Sequence, residues 1–151
     1  KKMEFDIFNV FRDRQLNNSN TKKEYYNNDI RDIDDRGNEI LEIEDYDSYI
    51  EKDKIADFSV SKFLNMENVY LTPNMTYKPR VIRKPNGVLT NGSIAILIPK
   101  NSSTMLSNSQ LNFFSTDEYR EFYKIARNYQ TRSLNIDNNS VFFFGKYKED
   151  Q

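Results

Sequence analysis

Apolar residues recur with helical spacing within residues 113–137, the most regular pattern in the chain. Five of them fall at positions i, i+3, i+4, i+7 and i+10, which share one face of a helix. These residues are Tyr119, Phe122, Tyr123, Ala126 and Tyr129. The pattern predicts one strong helix over about residues 116–130.

The residues before this helix predict how it begins. Ser115 and Glu118 have the spacing of a capping box, in which the hydroxyl and the carboxylate each accept a hydrogen bond from a backbone amide. Phe114 and Tyr119 are placed to pack together as a hydrophobic staple. Asp117 adds negative charge at the positive end of the helix dipole. We therefore expect Ser115 to be the N-cap.

Short β-branched or aromatic runs separated by turn signals predict strands in the second half. They are VYLT (69–72), RVIR (80–83), VLT (88–90), SIAILIP (93–99) and VFFFG (141–145). SIAILIP is apolar at successive positions, so we expect a central strand covered on both faces. Residues 84–87 (KPNG) predict a hairpin turn, and residues 91–92 (NG) predict a hairpin or a bulge. Residues 100–112 are expected to be a Ser/Asn-rich loop.

The first half is more polar and less regular. Residues 3–11 suit a short strand or a helix, and residues 12–31 are typical of a long loop. A turn signal at residues 36–38 precedes a strand predicted over residues 39–44. Apolar residues between 55 and 64 suit a helix-like or irregular segment packed on the sheet. Together the patterns predict an α+β fold: a largely antiparallel sheet with one strong helix and a loop-rich N-terminal half.

The length and composition set limits on the class of protein. A chain of 151 residues is expected to form one domain, residues 1–151, and its 10 Tyr and 11 Phe are expected to fill much of the core. The chain has no Cys, which fits a cytoplasmic protein, and its longest apolar run, residues 94–99, is too short to span a membrane. Because the first residues, Lys1 to Met3, resemble internal sequence, we expect a fragment of a larger protein.

The net charge of −1 hides an uneven distribution. Residues 1–69 carry 11 Lys/Arg against 17 Asp/Glu, a net charge of −6, whereas residues 70–151 carry 11 against 6, a net charge of +5. A nucleic-acid-binding face on the second half would explain this asymmetry. Two halves that pair with each other would explain it equally well.

Several kinds of catalytic site are excluded or disfavoured. The chain has no His, which excludes Ser-His and Cys-His pairs, and its four Gly do not form a phosphate-binding loop. The acidic run that starts at Asp32 begins like a calcium loop, but Arg36 and Ile43 occupy two ligand positions, which favours a solvated acidic face. A metal-dependent nuclease site could be built from a cluster in the acidic half, although such clusters are common in charged segments. Its members would be Asp45, Glu51 and Lys52.

Two groups of polar side chains are candidates for DNA contacts. The post-helix group consists of Arg127, Asn128, Gln130, Thr131 and Arg132. The ribbon group consists of Lys78, Arg80, Arg83 and Lys84. Arg, Asn and Gln can bond base edges bidentately, and basic residues on a β-ribbon suit phosphate groups. A solvated helix end and an edge strand protected by its own charges are the structural alternatives.

Three stretches of the second half carry a resemblance to a known family. They are YLTPNMTYKPRV, NGSIAILIPK and FFSTDEYREFYKIARNYQTRSLNIDNNSVFFFG. They resemble the C-terminal portion of adenine-specific DNA methyltransferases of type II restriction–modification systems. The likeness covers most of residues 5–145 and is strongest over residues 69–145. The front part, from FRDRQL to EDYDSYI, resembles the recognition domains of type I specificity subunits.

The resemblance implies a target-recognition domain that holds a specific duplex while a separate domain flips an adenine and methylates it from S-adenosylmethionine. The family's Asn-Pro-Pro-Tyr or Asp-Pro-Pro-Tyr motif and its Gly-rich cofactor motif are absent from these residues. We therefore expect no catalysis and no cofactor in this stretch, with double-stranded DNA and the methyltransferase catalytic domain as partners. The post-helix and ribbon groups become the preferred DNA surface, in which Asn128, Gln130 and one Arg read bases. The alternatives are a module that docks onto the methyltransferase core and a magnesium-dependent nuclease fragment.

Overall fold

A computed structural model describes residues 3–16, 30–43, 58–76, 79–127, 134–135 and 138–148. The strands of these residues are β1 (Met3–Glu4), β2 (Phe8–Arg12), β3 (Ile30–Ile33), β4 (Glu39–Ile43), β5 (Tyr70–Pro73), β6 (Met75–Thr76), β7 (Ile82–Arg83), β8 (Ile94–Pro99), β9 (Leu134–Asn135) and β10 (Lys146–Tyr147). The helices are α1 (Asn108–Phe113), α2 (Asp117–Arg127) and α3 (Asn138–Val141), with a 3₁₀ helix at Ser59–Phe63. The predicted α+β class with antiparallel sheets is confirmed, and none of the described helices is long and apolar enough to cross a membrane.

Four strands form the central antiparallel sheet in the order β2-β8-β5-β7. Strand β8 is paired on both sides, because Ile96 lies opposite Phe11 of β2 and opposite Leu71 of β5. Residues 94–97 are fully buried, which confirms the predicted central strand covered on both faces. Since β2 and β5 both run antiparallel to β8, they run parallel to each other and end at the same edge of the sheet.

Three two-stranded antiparallel pairings attach the remaining strands: β1 with β10, β3 with β4, and β6 with β9. The β3–β4 hairpin confirms the predicted turn, in which Gly37 has a φ of +84°. Gly145 precedes β10 at a place where a Cβ atom would collide with the carbonyl oxygen of Glu4. A glycine is therefore required there for the chain to approach β1 closely enough to pair with it.

Helix α2 confirms the predicted helix over its described residues, with Tyr119 and Tyr123 buried along one face. The rings of Phe114 and Tyr119 lie 4.9 Å apart and nearly perpendicular, which confirms the predicted packing of these two rings. The Tyr119 hydroxyl donates to the Phe143 carbonyl at 2.8 Å, and the Tyr123 ring lies 5.2 Å from that of Phe144. Aromatic contacts therefore fix α2 to the C-terminal part of the chain.

The predicted cap of α2 is wrong by one residue. The Tyr119 amide donates to Oγ1 of Thr116 at 3.2 Å, so Thr116 rather than Ser115 caps the helix. The Ser115 amide donates to the Asn112 carbonyl at 3.0 Å. Ser115 therefore belongs to the turn that ends α1, and this turn displaces the start of α2 by one position.

The end of the predicted loop at residues 100–112 is also wrong, because α1 begins there. A capping box starts this helix: the Gln110 amide donates to Ser107 Oγ at 3.2 Å, and the Ser107 amide donates to Gln110 Oε1 at 2.7 Å. The Gln110 side-chain amide also donates to the Tyr147 carbonyl at 2.7 Å. These bonds stabilise a helix of six residues that Ser/Asn-rich composition does not predict.

The predicted final strand VFFFG is wrong, since Val141 ends α3 and a turn follows. The Phe144 amide donates to the Val141 carbonyl at 3.1 Å, and the last strand is β10. Phe144 is fully buried, whereas Phe142 is 42% exposed and stacks on Phe5. In a regular strand Phe142 and Phe144 would lie on the same face, because they are two positions apart, whereas the turn exposes one and buries the other.

The predicted strand VLT is wrong as well, because only Thr90 forms an isolated bridge. The turn before it is confirmed, with a φ of +78° at Gly87. The Gly87 amide donates to the Leu64 carbonyl at 2.8 Å, beside the 3₁₀ helix. This bond directs the chain away from β7, so residues 82–90 do not form the predicted hairpin.

Candidate nucleic-acid interface

The pairing of β6 with β9 brings together two strands that are close in sequence to the predicted DNA contacts. Met75 lies opposite Asn135, and Thr76 lies opposite Leu134. Lys78 follows Thr76 by two positions, and Arg132 precedes Leu134 by two positions. Two residues of chain reach at most about 7 Å. The described pair of strands is therefore adjacent in sequence to the start of the ribbon group and to the end of the post-helix group.

Described elements also lie at the other end of each group, α2 for the post-helix group and β7 for the ribbon group. The post-helix group starts where α2 ends, at Arg127, and α2 is fixed to the core through its aromatic face. The ribbon group continues into β7, which pairs with β5 of the central sheet. Lys78 and the side chain of Arg127 lie outside the described residues, as do Asn128, Gln130, Thr131 and Arg132.

Arg80 of the ribbon group is half-buried. Its Nε atom is buried and has no hydrogen-bond partner within the described part of the chain. A buried donor without a partner costs free energy, so the guanidinium group is able to gain from an added acceptor. A phosphate oxygen is one such acceptor.

Arg83 is engaged with the acidic half of the chain. Its Nη1 atom lies 2.6 Å from Oδ2 of Asp32, and its Nη2 atom donates to the Leu106 carbonyl at 3.3 Å. The Asp32 side chain is only 9% exposed, so the predicted solvated acidic face is wrong at this residue. Asp32 shares the buried face of β3 with Ile30, whereas Ile33 is exposed, so the local sequence IRDI gave no signal of this burial.

Lys84 is buried, with its ammonium group inside the protein. The Nζ atom donates to the Leu64 and Pro85 carbonyls, each at 3.0 Å. Burial lowers the pKa of the Lys84 ammonium from 10.5 to about 8. A direct phosphate contact by Lys84 would require these intramolecular hydrogen bonds to be exchanged.

Asp34 is an acidic residue that stabilises a turn. Its carboxylate accepts hydrogen bonds from the amides of Arg36 at 2.9 Å and Asn38 at 2.8 Å, which closes the β3–β4 turn. The Asn38 amide is the main cause of the lowered pKa of Asp34. Within the described ranges there is no cluster of three acidic side chains that could hold a metal ion, whereas Asp45, Glu51 and Lys52 lie outside those ranges.

No known protein family and no curated protein matches this sequence.

We predict that the Arg83–Asp32 pair contributes to stability. Substitution Arg83→Gln should lower the free energy of unfolding by roughly 1–3 kcal/mol, because it leaves a buried carboxylate without its cation. Urea denaturation measures this change, and a double-mutant cycle with Asp32→Asn isolates the pair. Arg31→Gln is the control, since the Arg31–Glu39 pair is 51% and 42% exposed and its loss should change stability by less than about 0.5 kcal/mol. Equal effects of the two arginine substitutions would contradict the prediction.

We predict a distinctive pH dependence of stability from Lys84. Between pH 8 and 10.5 the unfolded chain keeps a proton that the folded chain has lost, so the free energy of unfolding should rise with pH across this window. The rise should be on the order of 1–3 kcal/mol and should disappear in Lys84→Met. Burial also raises the pKa values of Tyr70 and Tyr119 above 10, but their effect is common to both proteins and cancels in the difference. A difference that stays constant from pH 7 to 10.5 would exclude a depressed pKa.

Proposed function

We propose that this chain recognises a specific double-stranded DNA sequence on behalf of an adenine-specific DNA methyltransferase of a restriction–modification system. The observation that carries the proposal is the pairing of β6 with β9, two strands that flank the ribbon group and the post-helix group in sequence. Phosphate-binding and base-reading side chains must act on one duplex at the same time. A pairing that holds their two segments together meets this requirement.

The proposal divides the candidate residues by chemistry. Lys78, Arg80 and Arg127 bind phosphates and set the position of the duplex. Asn128, Gln130, Thr131 and Arg132 contact base edges, where Asn and Gln suit adenine and Arg suits guanine. Arg83 and Lys84 are bonded inside the protein, so we assign them a structural role in holding β7 and the turn that follows it.

Catalysis belongs to a separate domain in this proposal. That domain binds S-adenosylmethionine and accepts the flipped adenine, whereas the present chain supplies the sequence preference. The catalytic domain is thus the chain's protein partner, and duplex DNA is its ligand.

Selection from a pool of random duplex DNA tests the proposal directly. The chain should retain an enriched sequence motif at physiological salt, because base contacts add to the salt-sensitive phosphate contacts. Retention without enrichment would remove the sequence-reading claim. No retention even at low salt would exclude DNA binding altogether.

Lys78→Ala should weaken binding to all duplexes alike and lower the slope of log K against log salt concentration by about one. The physical reason is the loss of one phosphate contact and of the counterion that it releases. Fluorescence anisotropy titrations at several salt concentrations measure the slope. Lys124→Ala is the matched control, because Lys124 pairs with Glu121 at 3.8 Å on an exposed face of α2 and should leave the slope unchanged. Identical slopes for wild type and Lys78→Ala would refute the phosphate contact.

Arg132→Ala should weaken binding to the selected sequence by about 1–3 kcal/mol if Arg132 bonds a guanine. Binding to unrelated duplexes should change much less, so the ratio of specific to nonspecific affinity falls. A competition titration with both duplexes measures that ratio. An unchanged ratio would show that Arg132 reads no base, whether or not it binds a phosphate.

A docking module is the second candidate, and one surface favours it. Phe5 is 36% exposed and stacks between Phe122 at 5.6 Å and Phe142 at 5.9 Å. Exposed aromatic rings of this kind are enriched at protein interfaces. Phe5 precedes the start of β2, so this patch lies at the other end of the sheet from the edge where β2 and β5 end. Chemical-shift changes confined to this patch on addition of a methyltransferase core would support docking.

A further inference from the structure

A notch of about 290 Å³ lies between two turns and is lined by Arg12, Asp13, Arg14 and Gly92. Arg12 is the last residue of β2, and Gly92 lies in the turn that leads into β8. A Cβ atom at position 92 would lie 2.8 Å from the Asp13 carbonyl oxygen, so only glycine lets the two turns approach this closely. The notch is thus a product of the fold and not of one flexible loop.

The notch is lined by two guanidinium groups and one carboxylate, so its lining is net positive. Asp13 is 3% exposed and turns its Oδ2 atom inward to accept from the amides of Gln15 at 3.0 Å and Leu16 at 2.7 Å. Its Oδ1 atom is buried without a hydrogen-bond partner in the described ranges. Arg12 and Arg14 form no ion pair with any carboxylate that the structure describes.

The position of the notch connects it with β6 and β9. Arg12 lies opposite Ala95 of β8, and Ala95 lies opposite Thr72 of β5, so the three residues form one row across the sheet. Two strand spacings amount to about 10 Å, and the four residues from Thr72 to Thr76 extend at most about 13 Å. The notch and the β6–β9 pair therefore lie within about 25 Å of each other, less than the roughly 34 Å of one turn of duplex DNA.

We propose that this notch binds a phosphodiester group of the duplex that the β6–β9 surface recognises. The inference rests on the proposed function and extends it to the N-terminal half of the chain. Guanidinium groups bind phosphate oxygens in a bidentate manner, and two of them flank the notch. The lining carries a formal charge of +1, which matches the single negative charge of a diester.

The first experiment compares the wild type with the double variant Arg12→Gln/Arg14→Gln by anisotropy titrations of duplex DNA. The double variant should bind roughly tenfold more weakly at low salt, and its salt slope should fall by about one. The control, Arg36→Gln/Lys100→Gln, also removes two positive charges. Arg36 lies in the β3–β4 turn, and Lys100 pairs with Asp6 at 2.6 Å beyond the other end of β8. The control should keep the wild-type slope, and circular dichroism should show that both double variants are folded.

The possible results distinguish a failure of the notch proposal from a failure of the proposed DNA recognition. If the wild type binds DNA and the Arg12/Arg14 variant keeps its slope and affinity, the notch proposal fails while DNA recognition stands. If the wild type binds no duplex, DNA recognition fails, and ³¹P NMR with a dinucleoside monophosphate then tests the notch alone. A signal change that the Arg12/Arg14 variant abolishes would support a diester site. No change, or a response to inorganic phosphate only, would overturn it.

Discussion

The double pairing of β8 is the constraint on which the rest of the structure depends. Its backbone pairs with β2 along one edge and with β5 along the other, and its residues 94–97 are fully buried. Burial of this apolar surface is the main favourable term in folding. The same pairing makes β2 and β5 end at one edge of the sheet, where β5 continues towards β6. The positions of the notch and of the β6–β9 pair, which we propose contact DNA, therefore depend on the register of β8 with its two neighbours.

Some charged side chains of this protein form ion pairs or hydrogen bonds within the fold, whereas others are accessible at its surface. The acidic and basic halves pair in part with each other, through Asp32 with Arg83 and Asp6 with Lys100. The Lys84 ammonium group donates hydrogen bonds to backbone carbonyls. Its burial disfavours the charged form and therefore lowers its pKa. The asymmetry of net charge therefore overstates how many cations are available to a ligand. Arg12, which lies in the acidic half, is accessible to a ligand, whereas Lys84 of the basic half is not.

The sequence predicted the elements whose local pattern agrees with their tertiary surroundings. SIAILIP is apolar at every position that the sheet buries, and the staple of Phe114 on Tyr119 needs only local packing. The predictions failed where a contact distant in sequence decides the conformation. The amide of Gly87 bonds to Leu64, and the side chain of Gln110 bonds to Tyr147, neither of which a local pattern can indicate.

The candidate site was chosen by residue type alone and stays a prediction. Basic and amide side chains mark the ribbon and post-helix groups, and the structure adds the pairing of β6 with β9, two short strands that flank these groups in sequence. Such short strands carry almost no periodic signal. The notch at Arg12 was missed because its chemistry arises from Gly92, 80 positions away in sequence, and from a carboxylate that turns inward.

Backbone amide NMR during addition of duplex DNA at low salt tests most directly the claim that one end of the sheet binds DNA. The account predicts that the largest shift changes lie at Thr76, Leu134 and Asn135, with a second group at Asp13 and Gly92. Changes concentrated instead around Phe5 and Lys100, at the opposite end of the sheet, would contradict it. So would the absence of any change at concentrations where the duplex should be bound.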